Sequence, residues 1–279
     1  MTSPAYRRVG LIQFLLALAF VAWLVFLPVY AGSFAWPIGS RLSAMFIGTC
    51  FALRSFEGLK MWREPQWLRL RWMSWGTMAF LSVIFAATYW HVDLINWKPF
   101  NLMAILWVVA YTAEPLVIPF VEPPRAATRA EGESLGRRSP LSDGLQTLLM
   151  LVMFAAAVLF GMFFINPAKF ITNIWPWPVV PFDARIIAAF FAGILFWAAR
   201  VRTLDDWSEV RMGMQGLILF FGGHVLVWLF NLATGAFDPA RTTSVSIYGL
   251  LAICLTLALL FFYLQHERAL AAQAKTLPA

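Results

Sequence analysis

Eight stretches of mostly apolar residues, each about 20 residues long and so able to cross a bilayer as a helix, dominate this 279-residue chain. They run roughly over 10–31, 38–58, 70–91, 100–121, 144–165, 183–203, 212–235 and 243–265. A water-soluble domain carries about 25% charged residues; here the share is 13%, against 61% hydrophobic. The lipid bilayer is therefore the expected surrounding, and the expected fold is an all-α membrane protein. The first run follows Arg7-Arg8 as a signal peptide would, with Ala31 as a small residue for cleavage. Its apolar length exceeds the about 7–15 residues of such a segment, so it is read as a retained helix.

The loops orient the chain. Of the 21 Lys and Arg residues, sixteen fall on one side of alternating spans and five on the other. The positive-inside rule then places both termini in the cytoplasm of a cell whose inner or plasma membrane holds the protein. The opposite loops carry Trp36-Pro37 and Trp175-Pro176-Trp177-Pro178, and indole rings favour the headgroup level. The scattered basic loops lack the continuous basic face of a nucleic-acid binder, so no nucleic acid is expected as a partner. Residues 123–143 are polar, charged and rich in Pro and Gly, which predicts a mobile cytoplasmic linker.

Marks recur on either side of that linker. Arg41 matches Arg185, while Trp62, Glu64 and Asp93 match Trp207, Glu209 and Asp238 in the same order. The reading is a duplication: residues 1–122 and 144–279 each form a four-helix repeat. With four spans apiece the two repeats share one orientation, unlike the inverted halves of many carriers, and a central site would lie between them.

Arg41 and Arg185 open the second and sixth helices, with Ser40 and Asp183 at expected N-cap positions. A cation there opposes the helix dipole, so each arginine needs another reason for its place. Three are open: snorkelling to lipid phosphates, ion pairs (Arg185 with Asp183 or Asp238, Arg41 with Asp93), or capture of an anionic substrate. Glu64 and Glu209 read as members of loop salt bridges.

Ionisable groups inside spans mark functional candidates. Glu114 precedes Pro115 in the fourth span, where the proline frees a backbone carbonyl. It suits proton or cation coupling, or a carboxylate paired with an arginine from the basic rim. His224 follows Gly222-Gly223 in the seventh span, and Asn231 lies seven residues on along the same helical face. Together they would form a polar seam, with His224 bonding a Gln, Asn, Ser or Thr of a neighbouring helix. His91 and His266 fall at opposite membrane faces, so bis-histidine haem ligation is excluded. Gln13, Thr49, Thr88, Asn101, Gln146 and Gln215 read as packing residues. The two cysteines, Cys50 and Cys254, sit in apolar runs without a Cys/His cluster, so no metal and no cofactor is expected.

No Walker motif, dinucleotide fingerprint, HExxH or GxSxG is present. The Trp175-Pro176-Trp177-Pro178 stretch with Asp183-Ala184-Arg185 and then Trp207 resembles uncharacterised polytopic membrane proteins of bacteria, over 175–210 and more loosely over 36–64. That resemblance implies a multi-span fold and brings no activity or catalytic residue with it. Three functional classes follow. One is a small transporter with its site between the repeats, near Glu114 and His224. Another is a non-catalytic subunit that meets other membrane subunits. The third is an intramembrane enzyme acting on lipid or quinone; the scarcity of catalytic groups weighs against it.

Overall fold

A computed structural model describes residues 2–98, 100–121, 139–170, 174–204 and 206–275, apart from the side chains of residues 121, 170, 274 and 275. The described chain is all α. Its long helices are α1 (Pro4–Val21), α2 (Arg41–Arg63), α3 (Met73–Trp90), α4 (Leu102–Val121), α5 (Asp143–Ile165), α6 (Pro181–Val201), α7 (Trp207–Ala233) and α8 (Thr242–Lys275). A π-helical turn, Ala22–Phe26, prolongs α1, and short 3-10 turns fill several connections.

Six of these helical segments are long and apolar enough to cross a membrane: Pro4–Phe26, Leu102–Phe120, Asp143–Ile165, Pro181–Val201, Trp207–Ala233 and Pro239–Gln273. The protein is thus a multi-pass membrane protein by helix length and hydropathy. The two remaining expected spans, α2 and α3, form as helices but fall outside that set. α2 carries Arg54, Glu57 and Lys60, and α3 is diluted by Trp, Tyr, Ser and Thr. Packing explains how α2 tolerates such a sequence. Most of its residues from Ser43 to Gly58 are buried against other helices, so they need not match the apolarity of lipid tails.

α2 and α6 form the centre. α1 and α7 pack along α2, while α5 and α3 pack along α6; α4 lies against α3 and α8 against α7. α3 has its main neighbour in α6, not in α4. Glycines permit the closest approaches. A Cβ placed on Gly58 of α2 would come within 2.5 Å of the Phe14 backbone nitrogen on α1, and one on Gly76 of α3 within 2.6 Å of the Gly193 carbonyl oxygen on α6. The outward faces of α1, α4 and α8 expose leucines, isoleucines and phenylalanines such as Ile12, Leu116, Phe120 and Phe261.

Local signals set the helix ends. Ser40 caps α2 by accepting the Ser43 amide at 3.0 Å, as its position predicts. Asp183 departs from its expected N-cap role: the α6 cap is Val180, and Asp183 stands inside the first turn. α7 stops at Gly235, whose φ of +64° suits a residue without a Cβ. The Ala236 amide then bonds back to the Asn231 carbonyl at 2.9 Å, as in a Schellman ending. The linker expected over 123–143 falls outside the described residues up to 138. Its last residues are packed, with the Ser139 carbonyl accepting the Trp207 amide at 2.8 Å and Ser142 capping α5.

Candidate functional site

α2 brings a positive charge to the interior of the bundle. Arg54 is only 4% exposed. Its Nη1 pairs with Glu57, one turn further along α2, and donates to Thr77 Oγ1 of α3 at 3.3 Å. Its Nη2 lies 3.5 Å from Glu114 Oε2 of α4. The guanidinium also sits 4.6 Å from the centre of the Phe80 ring. A buried charge is tolerated only with partners, and Arg54 has contacts from three helices. Glu114 therefore meets an arginine as one expectation had it, but that arginine comes from within α2, not from a loop at the rim. Sequence reading passed over Glu57. The signal was available: opposite charges three residues apart inside an apolar run form a helix-surface pair.

A cavity of about 20 Å³, room for a single water, adjoins this cluster. It is lined by Arg54 and Glu57, by Gly76 of α3, Gly193 of α6 and Gly213 of α7, and by the indoles of Trp72 and Trp197. It lies among the central helices α2 and α6 and their neighbours α3 and α7. Glu114 touches Arg54 but does not line the cavity, nor does His224.

His224 and Asn231 both face α2 from α7. His224, 2% exposed, stacks on Phe46 with centroids 4.3 Å apart and brings Nε2 to 3.8 Å from Cys50 Sγ. Its partner is thus a thiol, in place of the expected amide or hydroxyl. Asn231 Nδ2 donates to the Val227 carbonyl of its own helix at 2.8 Å and approaches Met45 Sδ at 3.5 Å. The structure sets His224 and Glu114 against α2 one turn apart, at Cys50 and Arg54, without joining them in one site. Among the described residues no group of three or more His, Cys, Asp or Glu could hold a metal.

The residues of the Trp-Pro loops gather at one end of the bundle. Asp183 accepts the Trp36 indole at 2.7 Å and the Gly39 amide at 3.0 Å. In return, the Trp177 indole donates to Ser43 of α2 at 3.1 Å. Arg185 meets neither expected carboxylate. Its guanidinium lies 4.3 Å from the Trp90 ring and donates to His91 Nε2 at 2.7 Å. Burial, with the Arg185 charge beside it, holds the His91 imidazole below its ordinary value of 6.5. Arg41 packs over Phe230, 5.4 Å from the ring centre. Arg41 opens α2 and abuts the last turn of α7, while Arg185, in the second turn of α6, abuts the last turn of α3. A cation there lies near the negative end of that neighbouring helix's dipole. Asp93 lies in the turn Val92–Leu94, and Asp238 accepts the Ala240 amide at 2.9 Å.

At the other end, Glu209 pairs with Arg71 between α7 and the start of α3, and Glu64 lies 3.8 Å from Arg69. Comparison of the chain with protein families, with curated proteins and with solved structures finds no match. Of the resemblance drawn from the Trp-Pro and Ala-Arg residues, only a multi-span helical architecture therefore stands.

Proposed function

We propose that this protein is a small membrane transporter that moves protons by way of the Arg54–Glu57–Glu114 cluster. The observation that carries the reading is one buried guanidinium shared by two carboxylates. With both carboxylates ionised the cluster bears one negative charge; with one protonated it is neutral. A low-dielectric interior favours the neutral form strongly enough to couple proton uptake to a change in helix packing. The cavity beside Arg54 and Glu57 offers a water-sized step for the proton.

The duplication supports a site at the centre. Exchanging α1–α4 with α5–α8 leaves the main set of helix neighbours unchanged: α1 on α2 becomes α5 on α6, and α7 on α2 becomes α3 on α6. In this reading the halves 1–122 and 144–279 are parallel repeats, all eight helices span, and the positive-inside rule puts the basic end and both termini in the cytoplasm.

The test is proton movement into vesicles holding the purified chain and an internal pH dye, driven by a valinomycin-clamped potassium potential. Vesicles with wild-type protein should acidify several-fold faster than protein-free vesicles. Glu57→Gln with Glu114→Gln should return the rate to the protein-free level, while Glu64→Gln should leave it unchanged. Flux that persists in the double variant, or wild-type vesicles no faster than empty ones, would end this assignment.

A second reading, an accessory subunit of a membrane complex, draws on the size of the cavity, which admits about one water and no larger solute. Purification from the native membrane in mild detergent with a partner at fixed stoichiometry would favour it; a monodisperse particle of this chain alone would count against it.

A further inference from the structure

We propose that a groove at the basic end of the bundle binds the phosphate headgroup of an anionic phospholipid. The groove has a volume of about 220 Å³ and is lined by Thr2, Pro4, Arg7, Arg8, Leu11 and Trp62. It lies between the first turns of α1 and the last turn of α2. The Arg7 Nε donates to the Trp62 carbonyl at 2.8 Å, which fixes that guanidinium on the groove wall. Arg8 makes no hydrogen bond or ion pair among the described residues and is exposed. A third cation, Arg63, lies 5.1 Å from the Trp62 ring centre.

The nearby acid is already engaged. Glu64, whose backbone carbonyl accepts Thr2 Oγ1 at 3.2 Å, gives its carboxylate to Arg69 at 3.8 Å and to the Gln66 amide at 3.1 Å. Two arginines therefore face the groove with no carboxylate among the described residues to neutralise them, and a phosphate anion supplies that charge.

The apolar part of the groove selects lipid over free phosphate. Leu11 and Pro4 share the lining with the Trp62 ring. One turn along α1 the apolar surface continues over Ile12 and Leu15, which are 65% and 55% exposed. α1 belongs to a segment long and apolar enough to cross the bilayer, so an acyl chain can follow this face while the headgroup stays with the arginines. Basic pockets at the ends of membrane helices are suited to such headgroups.

Native mass spectrometry of the full chain in detergent, titrated with phosphatidylglycerol or phosphatidylcholine, reads the occupancy directly. Wild-type protein should take its first phosphatidylglycerol in preference to phosphatidylcholine. Arg7→Gln with Arg8→Gln should weaken phosphatidylglycerol binding roughly 25-fold, about fivefold for each arginine. Arg268→Gln, at an exposed cation on α8, should leave it unchanged. Arg8→Glu alone, a reversal at a side chain without a bond to lose, should also lower the affinity and keeps the test open if the double variant folds poorly. Unchanged binding in both groove variants would overturn the proposal. So would displacement of phosphatidylglycerol by excess inorganic phosphate, since the site would then recognise the phosphate alone.

Discussion

Asp183 of α6 accepts the indole N–H of Trp36 at 2.7 Å, although the two residues stand 147 positions apart. Trp36 lies in the loop before α2 and Asp183 in the first turn of α6, so this bond ties the ends of the two central helices. Both residues are buried.

Replacing Asp183 by Ala should destabilise the protein by about 1–3 kcal/mol, the cost of leaving the buried indole donor without its acceptor. Asp183→Asn keeps an oxygen in place and should cost less. Thermal unfolding in detergent checks both. Equal losses for the two variants would mean that the carboxyl oxygen bonded to Trp36 is not the stabilising feature.

His91 makes stability depend on pH. Its folded-state value lies below the ordinary 6.5 because of burial and Arg185. The unfolded chain therefore takes up a proton first as pH falls, and stability follows the state that binds fewer protons. The contribution is fully present above 6.5 and is lost as pH drops below that value. Protonation also removes the acceptor that Arg185 uses at 2.7 Å. His91→Gln retains an acceptor without titrating, so its thermal midpoint should fall less on acidification than that of the wild type. Parallel losses in the two proteins would refute this role.

Two glycines should respond oppositely to the same change. At Gly76 a methyl group would meet the Gly193 carbonyl oxygen at 2.6 Å, backbone that cannot step aside without parting α3 from α6. Gly76→Ala should cost about 1–3 kcal/mol, in the range of overpacked cores. Gly161 of α5 has nothing within 4 Å of an added Cβ, and Ala there should stabilise by about 0.5–1 kcal/mol through helix propensity. Midpoints measured side by side decide the matter, and a loss at both positions would show that space is not the controlling variable.

Arg54→Met should destabilise by about 3–5 kcal/mol, because it leaves Glu57 and Glu114 buried without a cation. Adding Glu57→Gln and Glu114→Gln to that variant should recover much of the loss. A triple variant no more stable than Arg54→Met alone would mean that the packing of Arg54 on Phe80, not charge compensation, dominates.

Much of the helical layout was legible in the chain. The runs at 100–121 and 144–165 fall within two residues of α4 and α5. Others differ for a definite reason. α7 begins at Trp207, ahead of the expected 212, and α8 continues to Lys275, beyond the expected 265. Hydropathy marks only where a helix is apolar, while backbone hydrogen bonding carries it on through charged turns such as Ser208–Arg211. Arg41 and Arg185 were legible as anomalies, cations at the wrong end of their own helices. The rings they meet, Phe230 and Trp90, lie in the last turns of α7 and α3, which no local pattern names.

Length and apolarity are properties summed along the chain, so the sequence by itself determined that this is an all-α, multi-span membrane protein, with Glu114 inside an apolar helix. Which helices touch was decided only by the tertiary structure. The enclosure of α2 by its neighbours puts Arg54 between Glu57 and Glu114, and it turns His224 toward Cys50. The physical reason is that α2 and α4 meet through side chains 60 positions apart. Such contacts depend on how close two helix backbones can come, which glycines and ring shapes on several helices decide together.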